Sequence, residues 1–318
     1  GLIRQDSIIE FWRKPEGGAM SIVLAGFVRG LAMAGTPPIV AVTGYDGNYL
    51  LSSRIVAYAA GTAQAEMTDN ADDIIKELVR DNLGSDATDT DRDLSAYITV
   101  AANTGAGVSI TRAFSRRNIL TVCQELASAS REGGTEIYFE MVPVISSGNL
   151  RWRLETYPGQ IGRDRTQSSG TPVMIGVEYG NLDSPEYSED YSGEITVVYA
   201  AGQGEEASRE TVEVEDTSRS KRSIYNRREA LEDARNETDT NGLTAKGNAA
   251  LEAGRPVVRF GGNLRDNDNY RFGRDWNYGD RVTCTYDGQQ YDGMIRSITI
   301  SVDGSGTETI SARVEVEQ

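Results

Sequence analysis

Histidine is absent from all 318 residues. That excludes every Ser-His-Asp or Cys-His nucleophile system and every His-ligated zinc site. Cysteine occurs twice, at Cys123 and Cys284. Cys123 falls on a helical pattern and Cys284 on the inward face of a strand pattern, so both read as free buried thiols rather than a disulfide framework. Long apolar runs are missing too. The longest, residues 19–28, ends at Arg29 and is too short to span a bilayer, so no direct membrane insertion is expected. Basic charge is scarce: 32 Lys and Arg face 48 Asp and Glu, a net charge of −16. Such a surface repels nucleic acid and anionic lipid, and no specific nucleic-acid binding is expected. The chain begins at Gly1-Leu2-Ile3 without methionine; whether residues upstream of Gly1 are missing is left open, and a processed or lost start would leave the first strand short of a partner.

What is present is β-rich and punctuated by 34 glycines. Residues 281–286 alternate, with Val282, Cys284 and Tyr286 on one face. Asp287-Gly288 follows, a hairpin turn that needs φ > 0 at both central positions. Residues 291–302 and 307–316 continue as strands across Asp303-Gly304-Ser305-Gly306. Three strands joined by tight turns leave one apolar face that must meet another sheet or close on itself. Strand patterns at residues 7–13, 21–31, 39–43 and 49–56 make the opening of the chain a β unit of the same kind.

Between these units the period changes. Residues 71–83 carry Ile74, Ile75, Leu78, Val79 and Leu83 on one stripe, with Asp72 and Asp73 in the first turn and Gly84 at the end: a helix. Residues 116–130, capped by Ser115, read as a second helix. Residues 93–100 read as a strand, and 135–144 with 150–157 as a hairpin. Pro172 to Gly176 reads as a strand returning to the opening unit, and residues 181–192 as a solvated acidic loop. Residues 193–201 and 209–215 form a hairpin across Gly202-Gln203-Gly204. Two helices are expected at 224–235 and 243–251. The expected fold is mainly β with an α+β insertion: a first small β-barrel or sandwich from residues 1–61 with 170–217, an inserted module at 62–169, a helical connector at 218–254, and a second barrel or sandwich at 255–318.

Candidate chemistry is thin. Asp89, Asp91 and Asp93 match the start of an EF-hand loop, but Leu94 stands where glycine is needed and Val100 where a bidentate glutamate is needed. A solvated capping loop is the reading, with calcium at Asp89–Asp93 left open. Gly202-Gln203-Gly204 and Gly105-Ala106-Gly107 lack the lysine of a phosphate loop and read as hairpin turns. Glu136 and Glu140 could form a glycosidase pair, although outward strand charges account for them. Asp275 and Asp280 around Trp276 could hold a sugar; the alternative is that Trp276 and Tyr278 plug one end of a barrel. Arg116-Arg117, Lys221-Arg222 and Arg227-Arg228 are basic spots that either meet an acidic neighbouring subunit or are solvated element ends. No catalytic, cofactor-binding or metal residue is assigned.

A series of motifs recurs in order: Ile3-Arg4-Gln5-Asp6-Ser7-Ile8-Ile9-Glu10-Phe11-Trp12-Arg13, then Gly26-Phe27-Val28-Arg29, then Tyr49-Leu50-Leu51-Ser52-Ser53-Arg54-Ile55-Val56, then Ala71-Asp72-Asp73-Ile74-Ile75-Lys76. Gly180-Asn181-Leu182, Val197-Val198-Tyr199-Ala200-Ala201-Gly202-Gln203-Gly204, Arg228-Glu229-Ala230-Leu231 and Gly273 with residues 276–282 complete it. This order resembles the tail-hub proteins of long non-contractile-tailed bacteriophages. The resemblance implies a structural virion protein of the tail tip, without catalysis or cofactor. It implies a homotrimer whose two β-barrels per subunit form a ring of six that adapts the hexameric tail tube to a three-fold tip. Distal tail or tube proteins and central tip or fibre proteins would be its partners, and the genome would pass through an acidic channel. The competing readings are a carbohydrate-binding module, suggested by Trp12, Trp152 and Trp276, and a tail-associated cell-wall hydrolase.

Overall fold

The computed structural model describes residues 3–15, 17–58, 64–204, 208–235, 237 and 239–316. Glu16 of the expected Pro15–Gly18 turn, and Gly1 and Leu2, lie outside the described residues. The chain is mainly β, in several sheets. It divides into two compact units, residues 1–161 with 272–274 and residues 162–271 with 275–318.

The first unit opens with β1 (Ile8–Arg13), β2 (Ser21–Ala34) and β3 (Ile39–Tyr45), an antiparallel meander. The expected strand at 49–56 is corrected: Tyr49–Ser52 is a short helix, α1. The Asp46 carboxylate accepts from the Asn48 N–H and its carbonyl from the Tyr49 N–H, and this local turn overrides the β-branched pattern. Next come β4 (Ala65–Asn70), α2 (Ala71–Leu83), β5 (Ile98–Val100), β6 (Ser109–Phe114), α3 (Ile119–Glu132), β7 (Ile137–Ser146) and β8 (Asn149–Pro158). Helix α2 occupies the expected residues and buries the expected stripe. Helix α3 starts later than expected, because Asn118 rather than Ser115 accepts the capping N–H, from Thr121. The two helices, Met141 of β7 and Trp152 and Leu154 of β8 share one core.

The second unit contains β9 (Asp164–Arg165), β10 (Met174–Ile175), β11 (Leu182–Asp190), β12 (Val197–Ala201), β13 (Thr211–Glu215), α4 (Thr217–Ser220), β14 (Glu229–Asp233), α5 (Thr240–Ala253), β15 (Val257–Leu264), β16 (Arg281–Tyr286), β17 (Gln289–Val302) and β18 (Glu308–Val316). The terminal meander β16–β17–β18 is as expected, and Asp287 and Gly288 both have positive φ, 49° and 74°. Three expectations are corrected. The 181–192 stretch is an edge strand, β11, paired with β15; its acids keep the edge soluble while Tyr187 stacks on Tyr286. The 224–235 helix is instead strand β14, because parallel pairing with β12 overrides local helix propensity. Strand β10 pairs with Thr283 and Cys284 of β16, not with the opening meander. Among the described residues the seven-stranded sheet runs β10-β16-β17-β18-β15-β11, with β9 on β16, and does not close into a barrel ladder.

The two meanders match in outline and differ in two places: β1–β2 shifts register between Phe11 and Trp12 where β16–β17 does not, and the third strands have seven and nine residues. Each has a six-residue first strand and a fourteen-residue middle strand. The first half of each middle strand pairs backwards and its second half pairs forwards. A register shift interrupts the forward pairing at its start, between Val28 and Gly30 in one and between Ile295 and Ser297 in the other.

Candidate interaction surface

The side chains nominated for chemistry are engaged in structure. Asp89 caps a single 3₁₀ turn by accepting from the Asp91 N–H at 2.9 Å, and Asp93 accepts from the Ser95 N–H at 2.7 Å. Among the described residues no group of three or more Cys, Asp or Glu is placed to hold a metal ion. Tyr138 donates to Glu136, and Tyr157 donates to Glu140 at 2.9 Å. Burial pushes the Glu140 carboxyl up, partly offset by that tyrosine. Trp276 is buried and offers no open ring face, while Tyr278 is exposed. Asp280 is buried, accepting backbone N–H groups of Arg163 and Asn277 at 2.6 and 2.8 Å. Both cysteines are buried and free.

The Gly105–Gly107 stretch is not a hairpin turn, since β5 pairs with β8 and β6 with β4. It crosses the N-terminus of α2. The Ala106 N–H donates to Asp72 at 2.7 Å, and the Thr104 and Gly105 N–H groups donate to Asp73. Lys76 completes this network from one turn along, with its Nζ 2.7 Å from Asp72. The loop cradles anions, but they are the protein's own carboxylates.

Basic spots are largely satisfied within the chain. Arg116 lies over the Tyr58 ring, Arg117 pairs with Glu125, and Arg227 bridges Glu213 and Glu229. Lys221 and Arg222 are exposed.

The opening meander packs Ala25, Ile22 and Phe27 into the core of the first unit and leaves its other large apolar side chains exposed. From residue 17 to residue 45 there is one charged side chain, Arg29, in a chain that is one-quarter charged. Ile8, Phe11, Trp12, Leu24, Leu31, Met33, Ile39, Val40 and Tyr45 are exposed large apolar or aromatic side chains. A groove of about 150 Å³ on this sheet is lined by Ile9, Phe11, Leu24, Val42 and Tyr45 together with the charged Asp46. Exposed apolar area on this scale marks an interaction site. The strand pattern was legible in the sequence; that its apolar residues face outward was not, although the lack of charge between residues 30 and 45 was a usable signal.

Residues 20–314 match the family model described as Siphovirus ReqiPepy6 Gp37-like protein. No curated protein matches the chain. The fold is similar to a tail protein from Neisseria meningitidis MC58, at 12% identity and TM-score 0.59 over 93% of this chain and 82% of that one. It is also similar to the 43 kDa tail protein of prophage MuSo2 from Shewanella oneidensis, at 12% identity and TM-score 0.56 over 94% and 79%.

Proposed function

Because the chain belongs to the Siphovirus ReqiPepy6 Gp37-like family and is a component of the virion tail, we propose that it is the hub of the tail tip. Three copies form a ring in which each contributes two β domains, read as small barrels or sandwiches, giving six similar positions around a hollow axis. Such a ring fits the hexameric tube on one side and a three-fold tip on the other. Its partners are distal tail or tube proteins and central tip or fibre proteins. The role is structural, without cofactor or catalysis.

The observation that carries this reading is the recurrence of one meander design in both units, with equal first and middle strands and a register shift at the same place. A duplicated module is what lets three chains present six equivalent surfaces. The net charge of −16 per copy supports a lumen that DNA traverses without binding. The carbohydrate reading keeps only Trp12 of its three tryptophans exposed.

Electron cryomicroscopy of the intact tail tests the reading. Three copies around a channel, with the β1–β3 and β16–β18 meanders at alternating positions, are expected. A single copy at the tip, or a ring without that alternation, would overturn it, and basic strands facing the lumen would remove the acidic-channel part.

A further inference from the structure

Strands β4 and β6 make the one two-stranded sheet among the described residues; the other sheets have three strands or more. Two strands alone are marginal in water. The inner face of this pair is covered, since Ile110 and Phe114 of β6 join the core of the first unit. Its edge is open. The register Ala65↔Phe114 to Asn70↔Ser109 runs on into the Ala71 N–H, which donates to the Val108 carbonyl at 3.0 Å. Bonded pairs recur at every second residue of an antiparallel ladder. Residues 110, 112 and 114 therefore bond to β4, and residues 109, 111 and 113 turn their N–H and C=O groups outward. Among the described residues the backbone groups of Thr111 and Ala113 have no other partner.

A groove of about 450 Å³ lies between β6 and α3. No residue of β4 lines it, so it lies on the open side of β6. Buried Phe114, Val122 and Leu126, with half-buried Ala129, form an apolar floor. Helix and strand are tied at both ends: Ser130 Oγ accepts from the Val108 N–H at 3.3 Å, and residues 115–118 join β6 to α3. Between the ties the helix rises over residues 119–130 by about 16 Å, the length of about five residues of extended chain. Arg112 lines the groove, is exposed, and has no ion pair among the described residues.

We propose that the β6 edge takes an extended segment of a partner tail protein as a third strand, laid along α3. Backbone bonds to Thr111 and Ala113 supply affinity, and alternate side chains select the partner. Those on the inner face are apolar where they meet the floor, and the one beside Arg112 is a carboxylate, since opposite charges across neighbouring strands attract. Strand β6 of a second copy does not fit this description, because residues 109–114 contain no Asp or Glu. The added strand goes beyond the ring reading and stands without it.

The test titrates the full chain into a fluorescein-labelled peptide, Thr-Val-Thr-Asp-Thr-Val-Thr, by fluorescence polarisation. A strand of this sequence places Val, Asp and Val on one face. Saturable binding is expected, weakened roughly tenfold or more by N-methylation of the third and fifth residues, which removes the donors facing Thr111 and Ala113. Lysine in place of the aspartate is expected to weaken it by a similar factor. Ala113→Pro removes an outward N–H and no bond to β4, which an edge strand tolerates; circular dichroism is expected to stay unchanged while affinity falls roughly tenfold or more. In intact tails, amide hydrogen exchange at residues 111–113 is expected to be roughly tenfold or more slower than in the isolated chain. Equal binding of the plain and N-methylated peptides overturns strand addition. No binding by the parent chain overturns the side-chain chemistry assigned to the partner. Equal exchange in tail and isolated chain overturns its use in the virion. Slowing of the same amides as the isolated chain is concentrated makes a second copy the occupant and overturns the partner.

Discussion

Lys76 Nζ stands 2.7 Å from Asp72 Oδ2 one helical turn away, and both side chains are fully buried. Asp73 is 3.8 Å from the same ammonium. Removing the lysine leaves two carboxylates in the core with only backbone N–H groups and Thr104 to hold them. Lys76→Met is therefore expected to cost about 3–5 kcal/mol in urea unfolding. The pH dependence has a definite sign. Burial pushes the Asp72 carboxyl up, but Lys76, Thr104 and Ala106 outweigh it and hold it below its ordinary value. A depressed folded pKa gives stability that is present above the unfolded pKa, about 3.9, and is lost as pH falls below it. The parent is expected to show that acid loss in urea midpoints, and Lys76→Met to show it reduced.

The same residues show what sequence reading could and could not reach. The 71–83 helix was legible because its stripe, its first-turn acids and Gly84 agree with one another. The fate of Asp72 and Asp73 was not: acids in a first turn are usually solvated partners of the helix dipole, and only the long-range crossing of residues 104–106 buries them. Residues 229–233 went to a strand because a parallel neighbour, β12, lies 32 positions away in the chain at every paired residue. The meander ends were legible from Asp287-Gly288 because turn chemistry is local. The outward-facing apolar side chains of residues 31–41 were not, since alternation predicts a face but not what lies against it.

Asp81, on the same helix, is perturbed in the opposite direction. Burial, then the charges of Glu77 and Asp86, push its carboxyl up to about 6, with Arg80 opposing. Between the ordinary value and 6 the folded chain binds more protons than the unfolded chain, so this group's contribution to stability falls as pH rises through that window. The side chain is only partly buried, which screens the effect. Asp81→Asn is expected to gain up to about 1 kcal/mol at pH 7.5, with the gain vanishing near pH 4. Equal stability of the two proteins at pH 7.5 would refute this account.

Gly47 has an ordinary φ, so space rather than conformation requires it. A Cβ there would sit 2.7 Å from Met141 Cβ and closer still to the Trp152 ring. Trp152 cannot retreat easily, since its ring packs 5.2 Å from that of Phe27 and its strand pairs with both β5 and β7. Gly47→Ala is expected to destabilise by about 1–3 kcal/mol, the range of overpacked cores, read from thermal unfolding. A Gly47→Ala, Trp152→Phe double variant should recover part of the loss if the clash with the ring is its cause.

The two thiols give a direct readout of core integrity. Burial pushes Cys123 up to about 12, and Cys284 is raised by burial and by the Asp292 charge. Only the thiolate attacks a disulfide reagent, so at pH 8 both are protonated and enclosed. Folded protein is expected to release no colour from Ellman's reagent within minutes, and denatured protein to release two equivalents. Cys123 lies among Ile119, Val122 and Leu126 on α3, where a hydroxyl would be buried against apolar side chains. Cys123→Ser is expected to cost about 1–3 kcal/mol, while Cys123→Ala loses only packing. Rapid labelling of one thiol in the folded chain would mean that its unit opens locally far below the global unfolding free energy. Labelling of Cys284 in Cys123→Ala then separates the two units, because Cys284 sits in β16 and reports on the terminal sheet alone.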